Sequence, residues 1–118
     1  MTSFTSIAEK RESGVCVISL SGYLDAHTAS DLEDVIKQAI DEGCFKIVVA
    51  FAELEYISSA GLGVFMVFIE AIRQKGGDIK LAAMTERVFS VFDLLGFPIL
   101  FQIFPTINEA EEAFPTEA

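Results

Sequence analysis

Residues 47–51 read Ile-Val-Val-Ala-Phe, an apolar run with no polar position in either alternation. A strand of this kind is buried on both faces, so it belongs in the middle of a sheet with a layer on each side. That requirement restricts the chain to a layered α/β design. The next apolar stretch, residues 60–69, has helical rather than strand periodicity and is stopped by Glu70. Leu62, Phe65, Met66, Ile69 and Ile72 form one stripe, and Val64, Val67, Phe68 and Ala71 form a second at the same period. The first stripe is expected to pack on the sheet. The second is either buried by a neighbouring helix or presented as a docking surface.

The remaining elements fall around this pair. Residues 3–9 alternate weakly and are expected to form an edge strand, with a turn at Glu12-Ser13-Gly14 and a second strand over 15–20, ended by Ser21-Gly22. A helix is expected from Thr28, where Thr28 and Asp31 have the spacing of a capping pair. Leu32, Val35, Ile36, Ala39 and Ile40 supply its apolar face, and Gly43 its stop. The second helix is expected over 61–75, closed by Gly76-Gly77, and a strand over 79–83 follows. Thr85 reads as the N-cap of a short helix carrying Val88, Val91, Phe92 and Leu95, which Gly96 and Pro98 end. A strand over 99–104 and an acidic helix over 107–114 complete the chain. The order β-β-α-β-α-β-α-β-α demands right-handed crossovers. It predicts a single α/β domain over 1–118, with a mixed, mostly parallel sheet and about four helices.

Charge narrows the partners. Eighteen acidic against 8 basic residues give a formal net charge of −10, which repels nucleic acid and anionic membrane surfaces alike. The longest apolar run is too short to span a bilayer, and Met1-Thr2-Ser3-Phe4 has no basic segment leading into an apolar one. A soluble cytoplasmic protein is the expectation, as monomer or weak dimer. Cys16 and Cys44 lie outside any CxxC or His-Cys cluster and are expected to be two small buried thiols, with a disulfide as the alternative.

The chemistry of an enzyme is poorly represented. His27 is the single histidine, and its proximity to Asp25 raises a Ser-His-Asp question that no Gly-x-Ser-x-Gly elbow supports. No metal-ligand spacing is present. Gly61-x-Gly63 lacks the third glycine of a dinucleotide fingerprint, and no Walker lysine follows, so no cofactor is expected. Glu53, Glu55 and Asp31-x-Glu33-Asp34 read as solvated faces. What remains is Ser58-Ser59, at the start of the second helix. Free N–H groups and the positive end of the helix dipole favour negative charge there, and a phosphoserine would be accommodated. One of the two serines is expected to be the helix N-cap. These residues point to a phosphorylation-controlled binding module rather than an enzyme, and physics alone does not choose between Ser58 and Ser59.

Ile57-Ser58-Ser59-Ala60-Gly61-Leu62-Gly63 resembles the signature of the STAS domain, the family of sulphate transporters and anti-sigma factor antagonists. Gly22-x-Leu24-Asp25, Lys75-Gly76-Gly77 and Glu109-Ala110 match further family segments in order. The length suits a free-standing antagonist. The resemblance implies phosphorylation of Ser59 by a partner serine kinase that doubles as an anti-sigma factor, and restoration by a metal-dependent serine phosphatase. The unphosphorylated chain would bind the kinase and free the sigma factor for transcription. Asp25, Ser58, Ala60, Gly61, Leu62, Gly63, Val64, Val67 and Phe68 would form the partner-binding surface. Two positions depart from the family pattern: Ser58 stands where many members have Asp, and Ala50 where many end the third strand with Asp. A scaffold or adaptor built on the same domain and indifferent to phosphorylation is the alternative.

Overall fold

β3 (Lys46–Ile57) occupies the centre of the sheet, as its apolar run requires. The structure, a computed structural model, describes residues 4–115. Five strands lie in the order β1-β2-β3-β4-β5, with β1 (Thr5–Lys10), β2 (Cys16–Leu24), β4 (Asp78–Ala82) and β5 (Ile103–Phe104) around β3. β1 is antiparallel to β2, and every other pairing is parallel. Consecutive strands are therefore neighbours, and each parallel crossover carries one α-helix: α1 (Ala29–Asp41), α2 (Ser59–Gln74) and α3 (Glu86–Leu94). This is the mixed sheet with four helices expected from the sequence, although residue 3 of the expected first strand lies outside the described residues.

Strand alternation divides the core in two. Ile18, Leu20, Ile47, Val49 and Phe51 face Leu32 and Ile36 of α1, Phe65 and Ile72 of α2, and Val88 and Phe92 of α3. Val15, Val17, Val48 and Ala82 face the other way, where α4 (Ile107–Glu112) supplies Ala110 and the chain beyond it Phe114. Phe51 sits at the join of the larger core, with the Phe65 ring 6.0 Å and the Phe92 ring 5.5 Å from its own.

Several boundaries differ from the expectations. β2 does not stop at Ser21-Gly22 but continues to Leu24, because Gly22 takes a φ of 88° and the register against β3 shifts on either side of it. β3 likewise runs on to Ile57. The expected strand over 99–104 is reduced to Ile103–Phe104. Pro98 lies in a 3-10 turn, Phe97–Ile99, and Phe97 stacks on Phe101 at 5.8 Å, which keeps this segment out of the sheet. Thr28 precedes α1, but its hydroxyl makes no capping bond to the helix and the expected pairing with Asp31 is not formed. Thr85 and Thr106 do cap, accepting from the N–H groups of Val88 and Glu109.

Cys16 and Cys44 are buried as expected but are not separate thiols. The link between α1 and β3 returns the chain beside the start of β2, and the two residues are joined as a disulfide with their Cα atoms 6.6 Å apart.

The Gly76-Gly77 turn shows why a side chain is excluded before β4. A Cβ on Gly77 would fall 1.8 Å from the Phe45 carbonyl oxygen, the same oxygen that accepts the Asp78 N–H at 2.9 Å. Gly77→Ala is expected to destabilise the domain by about 3 kcal/mol, since two backbone segments must separate. Urea unfolding measures this directly, and a loss below about 1 kcal/mol would show that the turn relaxes freely.

Candidate functional site

The end of β3 passes directly into α2, and the junction is held against the end of β2. The Ser58 N–H donates to the Leu24 carbonyl at 2.9 Å, and the Leu62 N–H donates to the Ser58 carbonyl at 3.1 Å. Gly61 permits this approach: a Cβ there would lie 2.6 Å from Leu24 Cγ. The segment after Leu24 is thereby brought beside the start of α2.

That segment is ordered by Asp25. Its Oδ1 accepts the N–H groups of His27 at 2.9 Å and Thr28 at 3.3 Å. The Thr28 hydroxyl donates to the Tyr23 carbonyl at 2.9 Å and accepts the Asp25 N–H at the same distance. Asp25 thus bonds to the backbone of His27, while the His27 side chain is exposed and unconnected to either serine among the described residues. The arrangement is a turn that launches α1, not a catalytic triad.

The two serines differ. Ser58 is the N-cap residue of α2 with extended backbone, yet its side chain makes no capping bond, and its Oγ is buried without a hydrogen-bond partner. Ser59 is the first residue of the helix and is exposed. A typical cap serine contributes about 1 kcal/mol, but a buried unsatisfied hydroxyl is itself unfavourable. Ser58→Ala is therefore expected to change stability by no more than about 0.5 kcal/mol in either direction. A chemical-denaturation midpoint falling by the equivalent of more than about 1 kcal/mol would contradict this.

Helical geometry then sorts the rest of α2. Leu62, Phe65, Ile69 and Ile72 are buried as expected, but Met66, assigned to the same stripe, is 43% exposed. Of the second stripe, Val64 is buried, Phe68 is half-buried, and Val67 is 67% exposed. Gly61, Leu62 and Val64 consequently belong to the interior, contrary to the surface role the motif implied for them. α1 packs beside α2 and widens its buried arc to include Val64 and part of Phe68. The outward arc carries exposed Ser59, half-buried Gly63 and exposed Met66 and Glu70, spaced i, i+4, i+7 and i+11, with Ala60 and Val67 alongside. Next to the junction, Tyr23 and Tyr56 place their exposed rings 5.5 Å apart on the ends of β2 and β3. Sequence reasoning missed this pair, because it ended both strands too early.

Ala50 is buried in the middle of β3, opposite Ser19 and Ala82, and not at the end of the strand. Among the described residues no helix is long and apolar enough to cross a membrane.

Comparison with known proteins gives a consistent picture. The STAS domain family model matches residues 6–110. An anti-sigma F factor antagonist of Paenibacillus polymyxa is 33% identical over 105 residues, covering 85% of this chain and 84% of that protein. The crystal structure of an anti-sigma factor antagonist from Mycobacterium paratuberculosis superposes with a TM-score of 0.81 at 26% identity, over 94% of this chain and 93% of the other. The anti-sigma factor antagonist SpoIIAA, solved in its unphosphorylated form, gives a TM-score of 0.77 at 25% identity, over 90% and 92%.

Proposed function

Because the chain belongs to the STAS domain family, we infer that it is an anti-sigma factor antagonist whose partner binding is switched by phosphorylation of Ser59. Its named relatives are antagonists of anti-sigma factors, and one of them is distinguished by its unphosphorylated form. The observation that carries the choice of residue is the contrast between the serines: Ser59 is exposed at the head of the outward arc of α2, whereas the Ser58 hydroxyl is buried.

The chain contributes a surface and an acceptor hydroxyl, and no turnover of its own. Its partner, a serine kinase that is also the anti-sigma factor, docks on Ala60, Gly63, Met66 and Val67 with the Asp25 turn at one side. It transfers the γ-phosphoryl group of ATP to Ser59 Oγ, releasing ADP and the hydroxyl proton. The phosphate adds nearly two negative charges. In solvent the exposed helix N-terminus tolerates them. Under a docked partner they would be desolvated, so the complex separates. A metal-dependent serine phosphatase hydrolyses the ester and restores binding. All of these exchanges take place in the cytoplasm, where sigma factor and polymerase reside.

The test is to incubate the protein with the serine-kinase anti-sigma factor of its own host and ATP, and to map the phosphate by peptide mass spectrometry. Phosphate on Ser59 is expected. Phosphate confined to Ser58, or on neither serine while the two proteins still bind, would overturn the reading in favour of another acceptor or of a constitutive adaptor.

A further inference from the structure

β3 is longer than the strand beside it. Its pairing with β4 ends at Ala50 opposite Ala82, while β3 continues to Ile57 and β2 follows it to Leu24 opposite Ile57. Residues 51–57 therefore have a strand on one side and none on the other. The chain leaves β4 abruptly, since Ala83 holds a left-handed φ of 60°, a conformation disfavoured for a residue with a Cβ. It then enters α3 without returning to the edge. Among the described residues no backbone hydrogen bond joins residues 83–87 to residues 51–57. Between the two runs lies a groove of about 490 Å³, lined by residues 52–55 on one wall and by Thr85, Glu86 and Arg87 on the other.

A bare strand edge offers alternating N–H and C=O groups, which are matched by another extended chain. Charge selects that chain. Glu53, Glu55 and Glu86 are exposed, outweigh Arg87 in the groove, and are held in no ion pair among the described residues. A second copy laying the same edge alongside would set carboxylate against carboxylate, an arrangement that opposes edge-to-edge pairing. An extended segment with Lys or Arg at alternate positions meets both requirements.

We propose that the free edge of β3 over residues 51–57 is a docking site for an extended, basic segment of a partner protein, which adds to the sheet as a short strand between β3 and α3. The backbone supplies the hydrogen bonds, and Glu53, Glu55 and Glu86 supply selection for cations. The site is distinct from the outward arc of α2 and does not require modification of Ser59.

The probe is a synthetic peptide, acetyl-Thr-Lys-Val-Lys-Val-Lys-Thr-amide, titrated into the isotopically labelled full chain. Amide resonances of residues 51–57 are expected to shift and their hydrogen exchange to slow, with resonances on the exposed face of α2 unmoved. Methylating alternate backbone nitrogens of the peptide, in either of the two registers, should abolish binding in one register. A peptide with Glu in place of Lys should not bind. Glu53→Lys with Glu55→Lys, checked for folding by circular dichroism, should weaken the lysine peptide at least tenfold. Unshifted edge amides, or equal binding by both methylated peptides, would overturn the proposal, the latter by reducing the contact to charge alone. Concentration-dependent protection of the same amides without peptide would assign the edge to a second copy and overturn it equally. Phosphoacceptor mapping on Ser59 is independent of all these outcomes.

Discussion

Ser59→Asp is expected to bind the kinase anti-sigma factor on the order of 100-fold more weakly than the unmodified chain, a loss of about 3 kcal/mol. The reason is geometric. Ser59 heads the arc that continues through Gly63, Met66 and Val67, so a partner contacting those apolar side chains covers the first turn of α2 as well. A carboxylate there is stabilised by the helix N-terminus while solvated, and loses its hydration without gaining a partner when the complex closes. Ser59→Ala removes the acceptor without adding charge, and should hold the kinase persistently when ATP is supplied. Calorimetry or surface binding with the purified pair reads both effects. Indistinguishable affinities of the two variants would contradict the switch.

Phe51→Ala is expected to destabilise the domain by about 4 kcal/mol. Phe51 is fully buried, contacts the rings of Phe65 and Phe92, and stands where β3 meets both α2 and α3. Truncation loses the transfer energy of the ring and the edge-to-face contact with Phe92, which lies at 80° to it. The cavity cannot close readily, because the surrounding rings are themselves locked: Phe65 packs on Phe101, and Phe92 on Phe97. For a domain of this size, that loss lowers the thermal midpoint by roughly 15 °C. Thermal unfolding followed by circular dichroism would contradict the estimate if the midpoint fell by less than about 5 °C.

Most of the fold was legible because its central elements obey strong periods. The apolar run at 47–51 is buried as a middle strand must be, and the α1 stripe emerges on the expected face. Val88 and Phe92 of the α3 stripe are buried, while Leu95, assigned to the same stripe, is 49% exposed just past the helix end. Legibility failed where the sheet thins. Residues 52–57 pair on one side only, and Glu53 and Glu55 break the apolar run although Leu54 and Ile57 are buried, so the strand read as ending at Phe51. The apolar residues at 99–104 read as strand, but ring stacking between Phe97 and Phe101 decided otherwise. The disulfide left no mark in the cysteine spacing, since it depends on where the link after α1 returns. At the site, the position of Ser59 followed from the motif. Val64 and Met66 were misplaced because two stripes of equal period cannot be told apart without knowing where α1 packs.

The segregation around α2 bears on how such proteins diversify. Residues that would carry the signal occupy one arc of the helix, and those that hold the fold occupy the other. A cell carrying several copies of this domain must keep their circuits from crossing. Substitutions on the outward arc alter partner choice while the interior stays untouched, so each copy can acquire its own kinase without a compensating change in the core. Insulation between parallel pathways is thus available at little cost in folding.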